Sequence, residues 1–464
     1  MSAPSPPRDP DGAATATSTF DISDAIDRSR WTGLQKMVLV LAALAVIFDG
    51  FDNQLLGFSI TLIAQEFGAP RSAFSWILAL GYVGVGLGTA IGGIVGDRVG
   101  RKSALTISVA VFGVCTLLAS VATSVLLLGI CRIGAGVGIG MVFPAVAALI
   151  AEFTPLRRRS LAVALSIACV PVGGLIGGVV AAAMLESFGW RALWVLGGVF
   201  PLVLIGVLFA VLPESPQFLL ARGTQKDRTK LVTTMGRIGH RVASDTAFVN
   251  RHDREVTRAS AAALLRPEHR RDSIGIWAAF FFGLMGVFAF YSWGPTLLVD
   301  YGFSQASASL SVTAYNLGAI LTAVIGAWAM GRYGSKTTLI VLAAGAGATG
   351  LWLFVAQPSV AGPRGLFIAQ LFLHGGFMGG LQTVVYPLAA QLYPVSIRAT
   401  GVGAAGTVGR LGAILASFLG ASLVAMGGGT FFLLLAVAGF MAGAALLIIR
   451  HHTPPARNEM VWQR

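Results

Sequence analysis

The sequence predicts an all-α membrane protein of twelve transmembrane helices, arranged as two six-helix halves, and three observations lead to this prediction. Of the 464 residues, 55% are hydrophobic and only 11% are charged, whereas a soluble globular protein carries about 25% charged residues. Apolar runs long enough to cross a bilayer recur along the chain. One long polar stretch divides these runs into six and six, and short motifs recur between the two sets.

The predicted spans are apolar runs of about 20 residues, the length that crosses a bilayer. They cover residues 34–63, 73–95, 103–122, 125–151, 160–184, 190–212, 274–299, 306–330, 337–356, 364–390, 398–425 and 429–449. The 59 glycines suit close packing between transmembrane helices. The three cysteines fall inside these spans at no metal-ligand spacing, so the sequence predicts neither a disulfide framework nor a metal site.

The basic residues are distributed very unevenly between the two sides of the predicted spans. Loops on one side hold only Arg71, Arg191 and Arg364 of the 33 Lys and Arg residues, and Arg132 and Arg410 lie within spans. By the positive-inside rule, both termini and the central loop are therefore cytoplasmic. The net charge of +13 reflects this topology, and no single basic patch that would bind nucleic acid is seen.

The chain divides into five parts. Residues 1–33 are rich in Pro, Ser, Thr and Ala, and they predict a disordered cytoplasmic tail, not a signal peptide. Two predicted helical bundles, at 34–213 and 273–450, flank a polar central loop at 214–272. Residues 451–464 form a second cytoplasmic tail.

Two short motifs occur once in each half. GDRVGRK at 96–102 follows span 2, and a diverged copy, GRYGSK at 331–336, follows span 8. Similar segments that contain Pro155 and Pro394 follow spans 4 and 10. A repeated six-helix unit predicts alternating access, in which two pseudo-symmetric halves rock around a central site.

These residues resemble the major facilitator superfamily, and the resemblance covers the chain from end to end. GDRVGRK is similar to the signature that this superfamily carries between its second and third helices. The resemblance implies that Asp97, Arg98 and Arg101 act in gating at the inner end of span 2, with Arg398 at the start of span 11. Anchoring of the same basic residues to lipid headgroups is the competing interpretation.

Within that superfamily the chain resembles the aromatic acid:proton symporters. The segments that carry this resemblance are DGFD at 49–52, PESP at 213–216, WGPTLL at 293–298 and RATGVG at 398–403. The resemblance implies a transporter of the inner membrane that imports an aromatic carboxylic acid, of benzoate or hydroxybenzoate type, by proton symport.

Three acids are candidates for proton coupling. Asp49 and Asp52 lie near the middle of span 1 and can share one helix face, because they are three residues apart. Carboxylates in a low-dielectric site repel each other, so we expect at least one to take up a proton near working pH. A structural pair neutralised by arginine is the alternative. Glu152, at the end of span 4, is the third candidate, although pairing with the basic run at 157–159 competes.

Two arginines within the membrane are candidates for substrate binding. Arg132 in span 4 needs a carboxylate partner, which we expect to be Asp49 or Asp52, and otherwise the substrate. Arg410 lies midway along span 11 with no acid near it in sequence. A substrate carboxylate is therefore its predicted partner, and a salt bridge to Asp49 or Asp52 is the structural alternative.

An aromatic substrate needs apolar walls and a polar contact. The predicted aromatic contacts are Phe51, Phe288, Tyr291, Trp293 and Tyr315, each of which could instead pack between helices or face lipid. His374 in span 10 is a further candidate because imidazole titrates near neutral pH. A lone histidine is more often a packing residue.

Three other functions remain open from the sequence: a proton-linked efflux antiporter for amphipathic compounds, a sugar or metabolite porter, and a membrane sensor on the same fold. The costly acids in span 1 favour transport over sensing. No catalytic triad, metal cluster or phosphate loop with its Lys-Ser/Thr is seen, so neither an enzyme nor a cofactor other than the coupling proton is predicted. The predicted partners are the substrate and the lipid bilayer, with no obligate protein partner indicated.

Overall fold

The computed structural model describes residues 19–240, 242, 246–250, 261–357, 364–394 and 397–454, and most of them lie in α-helices. Helices suit a bilayer because each backbone N–H and C=O finds its partner within the same segment. The helices of the first half are α2 (Gly33–Phe67), α3 (Ala73–Val99), α4 (Arg101–Ser120), α5 (Val125–Phe153), α6 (Leu156–Ile167) and α7 (Val170–Val211), preceded by α1 (Ile22–Arg28).

The second half follows two short helices, α8 (Pro216–Arg222) and α9 (Gln225–Ile238), and a 3-10 helix, Ala261–Leu265. Its long helices are α10 (Pro267–Asp300), α11 (Gln305–Tyr333), α12 (Ser335–Ala356), α13 (Arg364–Gln391), α14 (Arg398–Ala425) and α15 (Gly428–Ile448). The second bundle therefore begins with α10 at Pro267, six residues before the predicted boundary.

Ten segments of the described residues are long and apolar enough to cross a membrane. One of them, Leu156–Val211, holds two predicted spans, because α7 bends at Gly189, where φ is 73° and ψ is 176°. A positive φ of this kind favours glycine. The predicted span at 364–390 corresponds to α13, so the helices accommodate all twelve predicted spans.

The two halves repeat one packing scheme. In the first half α3 packs on α5, α2 on α7, and α4 on α7; in the second half α11 packs on α13, α10 on α14, and α12 on α15. In each half a glycine permits one of these contacts: Gly88 of α3 lies against the backbone of Val137, and Gly318 of α11 lies against the backbone of Phe372. Any larger side chain would overlap the neighbouring backbone there, so glycine permits this close approach.

Contacts between the halves lie toward the outer end, the end opposite the basic loops. Arg71 forms an ion pair with Asp300, and the Gln305 amide donates to the Phe58 carbonyl at 2.6 Å. Nearer the middle, the Tyr82 hydroxyl lies 3.1 Å from the hydroxyl of Ser292. Within the described residues, every hydrogen bond between the two helical bundles lies between the middle and the outer end, so the structure faces inward.

The cytoplasmic segments are partly ordered. Strands Thr19–Asp21 and Ala247–Val249 pair in parallel, and α1 buries Ile22 and Ile26 against the first half. The prediction of a disordered tail is therefore wrong for residues 19–28, since two apolar side chains spaced one turn apart find a surface to pack on. Residues 1–18 and 455–464 lie outside the described residues.

The helices α8 and α9 form a small cytoplasmic unit on the inner end of the first half. The side chain of Asp227 accepts hydrogen bonds from the Arg222 guanidinium at 2.7 and 2.9 Å, and another from the Thr224 hydroxyl. These hydrogen bonds, led by those from Arg222, hold the pKa of Asp227 below its usual range. The predicted central loop at 214–272 therefore contains ordered helices.

Candidate functional site

A cavity of about 140 Å³ lies between the two halves, inward of the contacts that close the outer end. Helices α2, α3, α5, α6 and α7 line it from the first half, and α10, α13 and α14 line it from the second. Most of its wall is apolar. The charged and amide side chains that reach it are Asp49, Asn53, Gln382 and Arg410. A larger cavity, of about 570 Å³, lies between α4 and the α8–α9 unit, away from the path between the halves.

Asp49 is fully buried at the wall of this cavity. The Asn53 amide, one turn further along α2, donates to Asp49 Oδ1 at 2.6 Å. Asp49 Oδ2 has no hydrogen-bond partner within the described part of the chain. A buried carboxyl oxygen without a donor is a place where a proton relieves an uncompensated charge.

Asp52 is equally buried but has a different environment. Its Oδ2 accepts a hydrogen bond from Arg132 at 2.7 Å, and its Oδ1 accepts one from the Thr116 hydroxyl at 2.5 Å. Neither Asp52 nor Arg132 lines the cavity. The expectation that both acids share one site is therefore corrected, because Asp52 is directed into the first half, where Arg132 balances its charge.

Arg132 takes the carboxylate partner that the sequence required, and this partner is Asp52. The guanidinium also lies over the Trp194 ring, 5.6 Å from its centroid, and the residue is 5% exposed. A direct contact between Arg132 and a substrate in the cavity does not fit this arrangement. The predicted role in substrate binding is replaced by one in holding Asp52.

Arg410 reaches the cavity from α14, on the wall opposite Asp49. The two side chains attract each other electrostatically, but they do not form an ion pair. Within the described residues, Arg410 makes no hydrogen bond either, and Gly406 and Ala413, one turn away on each side, line the same cavity. The guanidinium is therefore free to receive an anion, and a carboxylate matches its two parallel N–H donors.

Of the aromatic residues predicted to touch a substrate, Phe288 and Tyr291 line the cavity. Phe51, Trp293 and Tyr315 do not, which corrects the prediction for these three. Their rings are buried between helices: the Trp293 indole donates to the Ser417 carbonyl at 3.0 Å, and Tyr315 stacks on Phe290 with ring centroids 4.5 Å apart. A dry interior takes up large aromatic rings for packing.

Other residues of the wall were not predicted from the sequence. They are Asn53, Tyr82, Phe143, Gln382, Thr383 and Tyr386. Gln382 and Tyr386 carried a signal, because they lie one turn apart within an apolar span, and a polar face on a transmembrane helix points to a protein-lined cavity.

His374 lies away from the cavity in the second half. It is fully buried, and its Nδ1 is 3.0 Å from the hydroxyl of Thr349 on α12. The predicted contact of His374 with a substrate does not fit this position. The alternative interpretation, a packing histidine between α12 and α13, fits the structure.

The inner end of the first half carries a cluster of charges around Arg101. Its guanidinium pairs with Asp97 at 2.8 Å and with Glu152 at 2.9 Å, and it donates to the Gly96 carbonyl at 2.7 Å. Glu152 also accepts a hydrogen bond from Ser215, the N-cap residue of α8. Glu152 is thus paired with Arg101, not with the basic run at 157–159, and it lies away from the cavity.

The other two gating candidates, Arg98 and Arg398, are exposed at the inner ends of α3 and α14.

No group of three or more His, Cys, Asp or Glu side chains in the described residues is arranged to hold a metal ion.

A family profile and curated relatives both match this chain over most of its length. The profile of the Major Facilitator Superfamily matches residues 42–311 and 276–463. The chain is 31% identical to the gallate transporter of Pseudomonas putida over 408 residues, which cover 88% of this chain and 90% of the relative. It is 32% identical to the 4-hydroxybenzoate transporter of the same species, again over 88% of this chain and 90% of the relative.

Solved structures of a transporter resemble this chain in fold. The partially occluded, inward-open xylose transporter of E. coli superposes with a TM-score of 0.71 at 19% identity, over 91% of this chain and 99% of that one. The chain is therefore a multi-pass inner-membrane protein, and it belongs to the major facilitator superfamily.

Proposed function

We propose that this protein imports an aromatic carboxylic acid, of benzoate or hydroxybenzoate type, together with protons, by alternating access. One observation carries the proposal: Arg410, which has no hydrogen-bond or ion-pair partner in the described residues, and Asp49, which has an unpaired carboxyl oxygen, face one cavity from opposite halves. The names of the relatives, gallate and 4-hydroxybenzoate transporters, support the substrate class.

The substrate carboxylate is assigned to Arg410. A guanidinium offers two parallel N–H donors that match the two oxygens of a carboxylate. The aromatic ring of the substrate then lies against the apolar wall, to which Phe288 and Tyr291 contribute their rings. Ring–ring contacts of this kind favour a flat aromatic substrate over a sugar, which needs many hydrogen-bonding groups.

The proton is assigned to Asp49. While Asp49 is ionised, it competes with the substrate for the positive charge of Arg410, because the two side chains face the same cavity. Protonation of Asp49 removes this competition and leaves Arg410 to the substrate anion. Proton and anion therefore bind together more tightly than either binds alone, and reciprocal coupling of this kind is what symport requires.

Gating is assigned to the contacts at the two ends of the halves. The Arg71–Asp300 ion pair closes the outer end in this inward-facing arrangement. At the inner end, we assign the closing movement to the cluster of Asp97, Arg101 and Glu152, with the exposed Arg98 and Arg398 nearby. The proposed coupling ion is the proton, with no cofactor and no obligate protein partner.

The direct test is uptake of radiolabelled benzoate and hydroxybenzoates by proteoliposomes that contain the purified protein. Accumulation should require an inward proton gradient and collapse when a protonophore is added. Xylose and an amphipathic organic cation serve as the alternative substrates. Accumulation that persists after the proton gradient has been verifiably dissipated would overturn proton symport, and uptake of either alternative in place of the acids would overturn the substrate class.

A further inference from the structure

The amide of Gln382 is a polar group of the cavity to which the proposed function assigns no role. Gln382 lies on α13 and is 8% exposed, and it lines the cavity on the same face as Gly379 and Tyr386. Neither its Nε2 nor its Oε1 has a hydrogen-bond partner in the described residues. Tyr386, one turn away, lies near enough for a side-chain contact with the Gln382 amide. The geometry of this contact is not that of a hydrogen bond, so both ends of the amide remain unpaired.

Asp49 and Arg410 are the polar groups of the wall to which the proposed function assigns the proton and the carboxylate, and two further polar groups of the wall are paired within the protein. The Asn53 amide nitrogen is engaged by Asp49, and the Thr383 hydroxyl donates to the Gly379 carbonyl at 3.0 Å. A buried amide with both ends unpaired is costly. It retains both N–H donors and the carbonyl acceptor, whichever way the amide is turned.

Helix α10, which faces α13 here, has a glycine where the Gln382 amide lies. Gly283 of α10 lies directly against the Gln382 Oε1, and any side chain at position 283 would overlap it. The next residue along α10, Leu284, lines the cavity. The carboxamide therefore lies at the cavity wall between α10 and α13, on the half that also carries Arg410.

We propose that Gln382 is a specificity-determining residue that recognises a hydroxyl group on the aromatic ring of the substrate. A phenolic hydroxyl is both donor and acceptor, so it satisfies both unpaired ends of the amide at once. Arg410 then binds the carboxylate of the substrate, and Gln382 binds the hydroxyl group on its aromatic ring. This inference rests on the proposed function, and it selects hydroxylated benzoates over benzoate itself.

The test compares the dissociation constants of benzoate and of 2-, 3- and 4-hydroxybenzoate for the purified protein. Wild type should bind at least one of the hydroxybenzoates about three- to ten-fold more tightly than benzoate, as one well-placed neutral hydrogen bond predicts. Gln382→Met keeps the length of the side chain but removes the amide, and it should abolish this preference. The quantity compared is the ratio of the dissociation constant of benzoate to that of the hydroxybenzoate. A variant that weakens the binding of all four acids equally leaves this ratio unchanged.

Gln370→Met is the matched control. Gln370 is a buried glutamine of the same helix, 3% exposed and with an unpaired amide nitrogen, but it does not line the cavity. This variant should keep the wild-type ratio. Gly283→Ala provides a second route if Gln382→Met does not fold, because the added methyl group displaces the amide and should also lower the ratio.

The possible failures are distinct. If wild type binds none of the four acids, the proposed function fails and the inference falls with it. If wild type binds the acids without preferring any hydroxybenzoate, or if Gln382→Met retains the preference, the proposed function stands and the role of Gln382 is overturned.

Discussion

Asp49 and Asp52 lie one turn apart on α2, yet only Asp52 has a cationic partner, Arg132, at 2.7 Å, while Oδ2 of Asp49 has no partner among the described residues. Asp49 lines the cavity between the halves, and Asp52 points into the first half. Two identical side chains on one helix thus have different environments. The difference predicts different consequences when each acid is removed.

Asp49→Asn should abolish accumulation of substrate driven by a proton gradient. The amide has the same shape as the acid but cannot carry the coupling proton. Exchange of labelled for unlabelled substrate should persist, since exchange requires no net release of a proton. The measurement is uptake and exchange in proteoliposomes with equal amounts of folded protein. Wild-type accumulation by Asp49→Asn would exclude Asp49 as the proton site.

Asp52→Asn should chiefly reduce stability, because it leaves the Arg132 guanidinium buried without its anion. Breaking a buried ion pair on one side costs about 3–5 kcal/mol. The double variant Asp52→Asn/Arg132→Gln removes both charges and should recover most of that loss. Thermal unfolding of the three variants in one detergent measures the coupling. A double variant whose loss of stability equals the sum of the two single losses would show that the pair contributes nothing to the fold.

Arg410→Ala should weaken binding of the substrate anion, and Arg410→Lys should weaken it less, since lysine keeps the charge but loses the paired donors. A charge-assisted hydrogen bond contributes about 1.5–3 kcal/mol, roughly ten- to a hundred-fold in affinity. The comparison uses an aromatic acid and its neutral amide on wild type and on Arg410→Ala. If a folded Arg410→Ala protein keeps the full preference for the acid over the amide, a residue other than Arg410 binds the substrate carboxylate.

Restraining the outer end through Arg71 and Asp300 should stop transport. The two residues belong to opposite halves and form an ion pair in the inward-facing arrangement, and alternating access requires this end to open. In a background without the three native cysteines, Arg71→Cys/Asp300→Cys treated with a short bifunctional maleimide should lose uptake. Each single cysteine variant, treated in the same way, should keep it. Undiminished uptake by the fully cross-linked protein would contradict movement at this end.

Gly88→Ala should destabilise the first half, because the added methyl group meets the backbone of Val137 where α3 packs on α5. Overpacking of this kind typically costs about 1–3 kcal/mol. Gly86 lies half a turn away on the same helix, with open space where a side chain would project. Gly86→Ala is therefore the matched control and should be close to neutral in thermal unfolding. Equal stability of the two variants would show that the helices adjust without cost.

The sequence by itself determined the spans, their orientation and the depth of the charged residues. These properties depend on local composition: an apolar run of about 20 residues crosses the bilayer, and basic loops stay in the cytoplasm. The ordered segment at 19–28 was not predicted from the sequence. Its two isoleucines, Ile22 and Ile26, are buried only because the folded first half provides a surface on which they pack.

Only the tertiary structure decided which of these residues meet. Arg132 and Asp52 are 80 residues apart in sequence, and nothing in span 1 indicates that Asp52 turns toward α5 while Asp49 faces the cavity. The same holds for Phe51, Trp293 and Tyr315, which pack between helices. The physical reason is that most positions of these spans are apolar, and a few polar side chains do not specify one face of a helix. The face that each helix turns toward the cavity is therefore set by packing against its neighbours, and sequence spacing alone does not specify it.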